Sequence, residues 1–308
     1  MRYAVIGTGA IGGYYGAKLA RSGQEVHFLL HSDYDFVSRN GLQVNSWKGD
    51  FHIDNPHIYN NVHAMPQCDV VLVALKTTNN HLLPDLLSPL LGPQTIVVLI
   101  QNGIGVEQDV QDMLPRAQLA AGLAFICSAK TRPGVVDHQH YGALTIANYS
   151  CRSLLAVERL VGELADAGIE THQAEYHFAR WRKAVWNMPF NGMTVAMQCQ
   201  TDRLLAESAT RQLIRRQMLE VIHAAQALGI AGLHDDFADR MLADTDAMVP
   251  YSPSMRLDWD FRRPMELNYI YDRPLLLASQ AGRPMTELQA LADRLHAMEQ
   301  QRAVHSSR

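Results

Sequence analysis

A lysine and two asparagines in one predicted helix are the residues best suited to acid–base chemistry. Lys183, Asn187 and Asn191 are spaced four residues apart, which places their side chains on one helical face. Trp181 and Trp186 stand beside them, and apolar neighbours of this kind desolvate a lysine and lower its pKa. Such a lysine can exchange a proton near neutral pH, while the amides hold polar substrate atoms. The alternative, a surface lysine with two solvated asparagines, fits the flanking tryptophans less well.

A second polar group lies further along the chain. Ser254 is followed by Glu266, which opens a predicted helix with Leu267 and Ile270 on its apolar face. A carboxylate in the first turn of a helix complements the helix dipole. This structural role would account for Glu266 without catalysis, so composition alone assigns it no chemistry.

A glycine-rich turn near the N-terminus is suited to holding phosphate groups. The pattern G-x-G-x-x-G stands between a short strand, residues 3–6, and a helix predicted over residues 11–22. Its glycines permit a tight turn, close approach of a pyrophosphate and close helix packing, and the helix N-terminus adds N–H donors. A chance glycine turn is the alternative, but a second strand at 25–30 favours dinucleotide binding. The cofactor-binding residues predicted here are Gly7, Thr8, Gly9, Ala10, Ile11 and Gly12.

The end of the second strand bears on which nicotinamide cofactor is bound. NAD-preferring sites usually place an acid there for the ribose 2′-hydroxyl, but this strand is followed by His31 and Ser32. Asp33 comes slightly late and is interpreted as a turn or helix-cap residue. The strand end carries no acid that would repel a 2′-phosphate, and His31 and Ser32 can donate hydrogen bonds to one. We therefore expect NADPH as the cofactor. No arginine strengthens that preference, so NADH remains an alternative.

The positions of these groups imply two kinds of scaffold. Strands and helices alternate in the first half of the chain, which predicts a parallel α/β sheet, whereas amphipathic helices dominate from about residue 176. We predict a Rossmann-type dinucleotide-binding domain over residues 1–172 and an all-helical domain over residues 173–308. Because ligands lie past the carboxyl ends of strands in open α/β sheets, the substrate is expected between the two domains.

The individual elements follow from periodicity and turn residues. In the first half, a hairpin is predicted over 41–53, buried strands over 70–75 and 96–100, and a helix over 79–91. Further strands are expected at 119–126 and 143–146, with a turn at Pro133-Gly134, before a helix over 154–167. In the second half, the predicted helices span 178–199, 207–228, 237–245, 266–280 and 286–300.

Composition narrows the class of protein further. The 308 residues are 47% hydrophobic, enough for two cores, and a net charge of -4 provides no basic surface for nucleic acid. No apolar run reaches the roughly 20 residues of a membrane helix, and no signal peptide is expected before the glycine turn, so we expect a cytoplasmic protein. His138 and His140 lack a nearby Cys or Glu cluster, so no metal site is predicted. The long C-terminal helices could form a homodimer, although burial within their domain is the simpler expectation.

Five motifs together resemble the ketopantoate reductase (2-dehydropantoate 2-reductase) family, in order and over nearly the whole chain. The resemblance implies a Rossmann domain followed by a helical domain. It also implies NADPH-dependent reduction of 2-dehydropantoate to pantoate, a step toward pantothenate and coenzyme A. The motifs are the glycine turn, Leu75-Lys76, Gln101-Asn102-Gly103, the helix face with Lys183, Asn187 and Asn191, and Ser254 with Glu266.

The same resemblance implies a role for each polar residue of the helical half. Lys183 matches the general acid that protonates the carbonyl oxygen as hydride reaches its carbon. Glu266 matches the residue that hydrogen-bonds the developing hydroxyl and works with the lysine. Asn187 and Asn191 match substrate-orienting amides, and Ser254 matches a contact to the substrate carboxylate.

Two further positions match the family, and two depart from it. The resemblance implies that Asn102 lies near the nicotinamide and the substrate, and that Lys76 faces the cofactor or the cleft. His31 stands where better-known members carry arginine, and Tyr251 where the family often places a polar amide. Tyr251 therefore keeps open a different branched 2-oxo acid as substrate. A non-enzymatic dinucleotide sensor is a third hypothesis, but a sensor would not need Lys183 as a proton donor.

Overall fold

The computed structural model describes residues 1–306, so the last two residues of the predicted helical domain lie outside it. The chain forms two compact units. The first comprises Met1–Gln101 and Val106–Tyr176, and the second comprises Asn102–Gly105 and the residues from His177 onward. The short segment Asn102–Gly105 thus belongs with the C-terminal helices. The division of function at residues 172 and 173 stays a prediction.

One mixed sheet of ten strands dominates the first unit. The strands are β1 (Arg2–Ile6), β2 (Glu25–Leu29), β3 (Leu42–Ser46), β4 (Phe51–Ile53), β5 (His57–Tyr59), β6 (Val70–Val73), β7 (Ile96–Leu99), β8 (Gln118–Arg132), β9 (Val135–Asn148) and β10 (Thr171–Gln173). Their order is β4-β3-β9-β8-β7-β6-β1-β2-β5, with β10 beside β9. Parallel pairing of β2, β1, β6, β7 and β8 confirms the expected Rossmann-type core.

Burial explains the central strands of this sheet. Every residue of β6 and β7 is buried, as expected for parallel strands covered on both faces. The helices of the unit are α1 (Ala10–Arg21), α2 (Tyr34–Asn40), α3 (Leu83–Leu87), α4 (Val106–Met113) and α5 (Leu154–Asp166). The single helix predicted over 79–91 is wrong, because only α3 is α-helical there and 3₁₀ turns flank it. Pro84 and Pro89 lack the N–H that a continuous helix requires.

Two hairpins complete the sheet. β3 and β4 form the predicted antiparallel hairpin at one edge. β8 and β9 pair antiparallel around the predicted Pro133-Gly134 turn and are longer than the sequence indicated. Three register shifts interrupt their pairing, and bulges of this kind bend a strand and break the alternation that reveals it in a sequence.

The second unit is helical, as predicted. Its helices are α6 (Tyr176–Ala196), α7 (Thr201–Ala206), α8 (Ser208–Ala227), α9 (Asp236–Asp246), α10 (Ser254–Asp260), α11 (Arg273–Gln280) and α12 (Thr286–Ser306). A π-helical turn, Asn268–Asp272, precedes α11. The helix predicted over 266–280 therefore begins after Glu266 and carries a π turn. Most of α6 is buried, because it forms the centre of this unit's core.

Candidate active site

The lysine singled out by the sequence lies within α6. Lys183 is half-buried, while Trp181 and Trp186 are buried beside it. Burial lowers the pKa of Lys183 to about 7, and repulsion from Arg180 acts in the same direction. The Glu266 carboxylate opposes both by favouring the charged amine. An amine with a pKa near neutrality can both hold and release a proton under ordinary conditions.

The carboxylate of Glu266 is buried just before the π-helical turn. Its residue is only 4% exposed, and its charge interacts with that of Lys183. A buried carboxylate is costly unless charges or donors surround it, so an interacting ammonium helps to explain its presence. The structure thus associates Lys183 and Glu266, which lie far apart in the sequence. The helix-dipole interpretation of Glu266 accounts for neither its burial nor this interaction.

The two asparagines of α6 face different neighbours. Asn187 Nδ2 donates to Asn102 Oδ1 at 3.5 Å, a long bond that joins two predicted substrate residues. Asn191 is only 2% exposed, and its Oδ1 accepts the backbone N–H of Met255 at 3.2 Å. Met255 follows Ser254 in the first turn of α10, so Asn191 fixes the turn that carries Ser254. Ser254 itself is half-buried.

A glycine explains why Asn102 lies beside these helices. Gly103 has a φ of 102°, and a Cβ there would lie 2.5 Å from the backbone oxygen of Tyr269. The next residue, Ile104, donates its N–H to the same oxygen at 2.9 Å. The segment therefore packs directly on the π-helical turn that follows Glu266, and only glycine fits at this contact.

An aromatic group borders the asparagine face of α6. The rings of Trp186 and Phe190 stack with centroids 4.9 Å apart, and Tyr251 lies 6.5 Å from Trp186. Trp186 Nε1 donates to Thr245 Oγ1 at 3.0 Å, which fixes the indole. Tyr251, which departs from the family pattern, thus lies near Trp186, the residue that precedes Asn187 in α6.

The glycine turn has the geometry that a dinucleotide requires. Gly7 has a φ of 93°, and a Cβ there would lie 2.6 Å from the Leu75 nitrogen. A Cβ on Gly12 would meet the Gly7 oxygen and would lie 2.9 Å from Val5 Cγ1. By contrast, a Cβ on Gly9 would meet nothing within 4 Å, so space is open where a pyrophosphate must approach.

The first turn of α1 supports the same interpretation. Gly9 is its N-cap and has no side chain that could cap the helix by a hydrogen bond. The first N–H groups of a helix are therefore presented to an anion. Thr8 does not take part through its hydroxyl, because Thr8 Oγ1 donates to the Leu29 oxygen at 3.0 Å. Lys76 is half-buried and follows β6.

The end of β2 carries an acid that is already engaged. His31 and Ser32 are exposed there, whereas Asp33 is only 5% exposed. Asp33 Oδ2 lies 2.6 Å from Lys130 Nζ and accepts the Gly134 N–H at 3.0 Å. Burial raises the pKa of Asp33, but these partners outweigh it and hold the pKa below its usual range. Asp33 lies in a turn at the N-cap position of α2, as expected, although its side chain makes no capping hydrogen bond to that helix.

Sequence reasoning missed three residues that the structure places at these sites. Arg180 acts on the charge of Lys183, and its position one helical turn before the lysine was the available signal. Gly103 was noted only as part of a motif, because the residue that it contacts, Tyr269, is far away in the sequence. No sequence pattern indicated a role for Lys130, because the strand β8 is irregular at that point.

A Rossmann-type fold joined to a helical unit that carries a lysine with a pKa lowered to about 7 is typical of a class of oxidoreductase. The comparisons with known proteins then identify the family. The profile described as ketopantoate reductase PanE/ApbA matches residues 3–150, and that of its C-terminal part matches residues 176–299. The chain belongs to the ketopantoate reductase family.

Individual relatives agree along nearly the whole chain. A 2-dehydropantoate 2-reductase of Nostoc sp. is 42% identical over 300 residues, 96% of this chain and 94% of the relative. The crystal structure of 2-dehydropantoate 2-reductase from Geobacter metallireducens has a TM-score of 0.91 and 38% identity, covering 97% of this chain and 100% of that one. The enzyme from Methylococcus capsulatus has a TM-score of 0.88 and 31% identity, covering 98% of both chains. Among residues 1–306, no helix has the length and apolarity to cross a membrane.

Proposed function

We propose that this protein reduces 2-dehydropantoate to pantoate with NADPH, a step toward pantothenate and coenzyme A. The observation that carries the proposal is the interaction of Lys183, whose pKa is lowered to about 7, with the buried Glu266. A proton donor with a pKa near the working pH is what carbonyl reduction requires of the protein. The similarity to the Nostoc 2-dehydropantoate 2-reductase supports this choice of substrate.

The proposed mechanism assigns the proton to α6. Lys183 donates a proton to the carbonyl oxygen of the 2-oxo acid, and Glu266 accepts a hydrogen bond from the hydroxyl that forms. Glu266 also favours the charged lysine, which raises the fraction of the donor that carries a proton. When bound, the nicotinamide supplies hydride to the carbonyl carbon.

The neighbouring polar residues would orient the substrate. We assign Asn102, Asn187 and Asn191 to its polar oxygens and Ser254 to its carboxylate. The Asn187–Asn102 bond is long at 3.5 Å, and a substrate atom can replace it at little cost. Asn191 Oδ1 is used by the backbone of α10, so its amide nitrogen is the donor proposed to face the substrate.

The first unit would hold the cofactor. We propose that the backbone of Gly7, Gly9 and the first turn of α1 bind the pyrophosphate, because Gly9 leaves open space there. Thr8, Ala10, Ile11 and Gly12 complete that turn, and Lys76 and Asn102 would approach the nicotinamide half. His31 and Ser32 are exposed at the end of β2 and would face the 2′-phosphate of NADPH. Because Asp33 is engaged by Lys130, it does not repel that phosphate as a lone acid would.

A panel of 2-oxo acids tests this function. We expect kcat/KM to be highest for 2-dehydropantoate and KM to be lower for NADPH than for NADH.

Lys183→Ala should lower kcat by about 10²–10⁴-fold, the usual contribution of a general acid, while leaving NADPH binding intact. Arg182→Ala is the matched control, because this exposed neighbour contacts the Phe237 ring and not the proton donor. Near wild-type kcat in Lys183→Ala would contradict the proposed donor.

The same panel decides the second candidate function. Tyr251 and its cluster with Trp186 favour a bulkier or less polar 2-oxo acid. If such a substrate exceeds 2-dehydropantoate in kcat/KM, the enzyme class stands and the substrate changes. Tight NADPH binding without oxidation by any 2-oxo acid would instead support the sensor hypothesis.

We also propose a cytoplasmic location and a homodimer formed through the helical unit. The four cysteines are free thiols, which fits a reducing compartment. Phe261 and Leu276 of the helical unit are 67% and 54% exposed, and a subunit interface would cover apolar side chains of this kind.

A further inference from the structure

We propose that Lys130, near the tip of the β8–β9 hairpin, binds the 2′-phosphate of NADPH and supplies the positive charge that β2 lacks. The inference rests on the proposed cofactor site and names a specificity-determining residue that no sequence motif marks. Family resemblance points to position 31 for this task, where the chain has histidine. The structure supplies a cation from a different element.

Hydrogen bonds fix Lys130 at the end of β2. Its Nζ lies 2.6 Å from Asp33 Oδ2, and Asp33 follows directly on His31 and Ser32. The same carboxylate accepts the Gly134 N–H at 3.0 Å and the Ser32 hydroxyl at 3.1 Å. Three strands, β7, β6 and β1, separate β8 from β2 in the sheet, yet the hairpin tip reaches the end of β2.

The path of the hairpin accounts for this reach. Its pairing register shifts between Lys130 and Arg132, and a bulge re-aims the side chains beside it. Lower in the same strand, Ser128 Oγ donates to the Ala10 oxygen in the first turn of α1 at 3.3 Å. A Cβ on Gly13 of α1 would lie 2.8 Å from Val136 Cγ2 of the opposite strand. The hairpin therefore lies along the helix end that is proposed to bind the pyrophosphate.

A small cleft joins these elements. Lys130 lines it together with Thr8 of the glycine turn, Leu30 at the end of β2, and Asp33. In dinucleotide-binding folds the adenosine ribose lies between the pyrophosphate on the first helix and the end of the second strand. The cleft itself, about 10 Å³, is too small for a phosphate, but its lining shows that Lys130 meets the glycine turn and the end of β2 at this point. A 2′-substituent lying over this junction would be within reach of the Lys130 ammonium.

Charge and exposure suit Lys130 to this role. About a third of its side chain, 32%, is exposed, whereas Asp33 is almost fully covered. An ammonium has three N–H donors, and Asp33 accepts from one of them, which leaves donors for phosphate oxygens. The pairing also cancels a charge at Asp33 that would otherwise disfavour a 2′-phosphate. Lys130 thus acts both as a direct contact and as the counter-charge of Asp33, the buried acid that follows this strand end.

The test compares two ligands that differ only in the 2′-phosphate. Calorimetric titration with adenosine 2′,5′-bisphosphate and with adenosine 5′-monophosphate measures the contribution of that group without turnover. We expect Lys130→Met to weaken the bisphosphate at least tenfold and the monophosphate by less than twofold. Lys48→Met is the control, because this exposed lysine lies in the β3–β4 turn beside Trp47 and should change neither value.

Two further variants separate binding from folding. Lys130→Met leaves Asp33 buried without its ammonium, so Asp33→Asn with Lys130→Met removes both charges and is expected to lose the discrimination while staying folded. Lys130→Arg keeps the charge and should retain the bisphosphate preference. An unchanged ratio of the two affinities in the double variant, equal weakening of both ligands, or a wild type that binds them equally would each overturn the inference. Absence of reductase activity overturns the proposed function alone, because these titrations do not depend on it.

Discussion

At the scale of single residues, the site depends on a lysine whose charge is set by two neighbours of opposite sign. Arg180 lowers the pKa of Lys183 and Glu266 raises it, on top of the lowering caused by burial. The tryptophans in the sequence were enough to predict the lowered pKa. The sequence could not show that Glu266 interacts with this lysine, because that interaction depends on how the chain between them folds.

These opposite effects predict opposite shifts in the pH profile. In the wild type, activity should fall as pH rises through about 7, since Lys183 then loses the proton that it donates. Glu266→Gln removes the group that raises this pKa, so the fall should begin at lower pH. Arg180→Met removes the group that lowers it, so the fall should begin at higher pH. The measurement is kcat/KM against pH, and shifts of the same sign in both variants would refute this electrostatic account.

At the scale of elements, the sequence revealed those with a regular period and missed those that local chemistry interrupts. The ends of α6, α8 and α9 lie within a few residues of their predictions, because their apolar faces repeat regularly. The predicted helix over 79–91 failed at two prolines, and β8 and β9 exceeded their predictions because bulges break their alternation. The short helix α10 was missed, since its seven residues are too few for a period to show.

The contact between Asn102–Gly105 and the π-helical turn predicts an effect on both stability and activity. Gly103→Ala places a methyl group against the Tyr269 backbone at a φ of 102°, which should cost about 2–4 kcal/mol and displace Asn102. Gly229→Ala is the control, because Gly229 has a φ of 80° but a Cβ there would meet nothing within 4 Å. We expect urea unfolding to show the larger loss, and kcat/KM to fall, only for Gly103→Ala. Equal losses would mean that backbone strain alone matters and that the contact does not.

At the scale of the whole molecule, the sequence predicted a dinucleotide-binding fold followed by helices, and the family comparisons agree. It did not predict that Asn102–Gly105 belongs to the second unit, because the surrounding residues have the pattern of the first. Assembly was likewise left open by the sequence, which predicts amphipathic helices without saying what covers them.

The proposed homodimer predicts a particle of twice the chain mass in light scattering after size exclusion. Phe261→Asp with Leu276→Asp should reduce that mass to one chain, because charges would replace apolar contacts at the proposed interface. Leu155→Asp is the control, as Leu155 is 77% exposed but lies in the first unit. A wild-type mass of one chain at micromolar concentration would refute the dimer.

The segment Asn102–Gly105 also has a consequence for biosynthesis. Because a chain is made from its N-terminus, Asn102 leaves the ribosome long before Tyr269, whose backbone oxygen holds the segment in place. The first unit can acquire its sheet during translation, but this loop must wait for helices that are synthesised last. If the proposed cofactor site is correct, a nascent chain would complete it well before its substrate residues, and a truncated product would bind cofactor without consuming it.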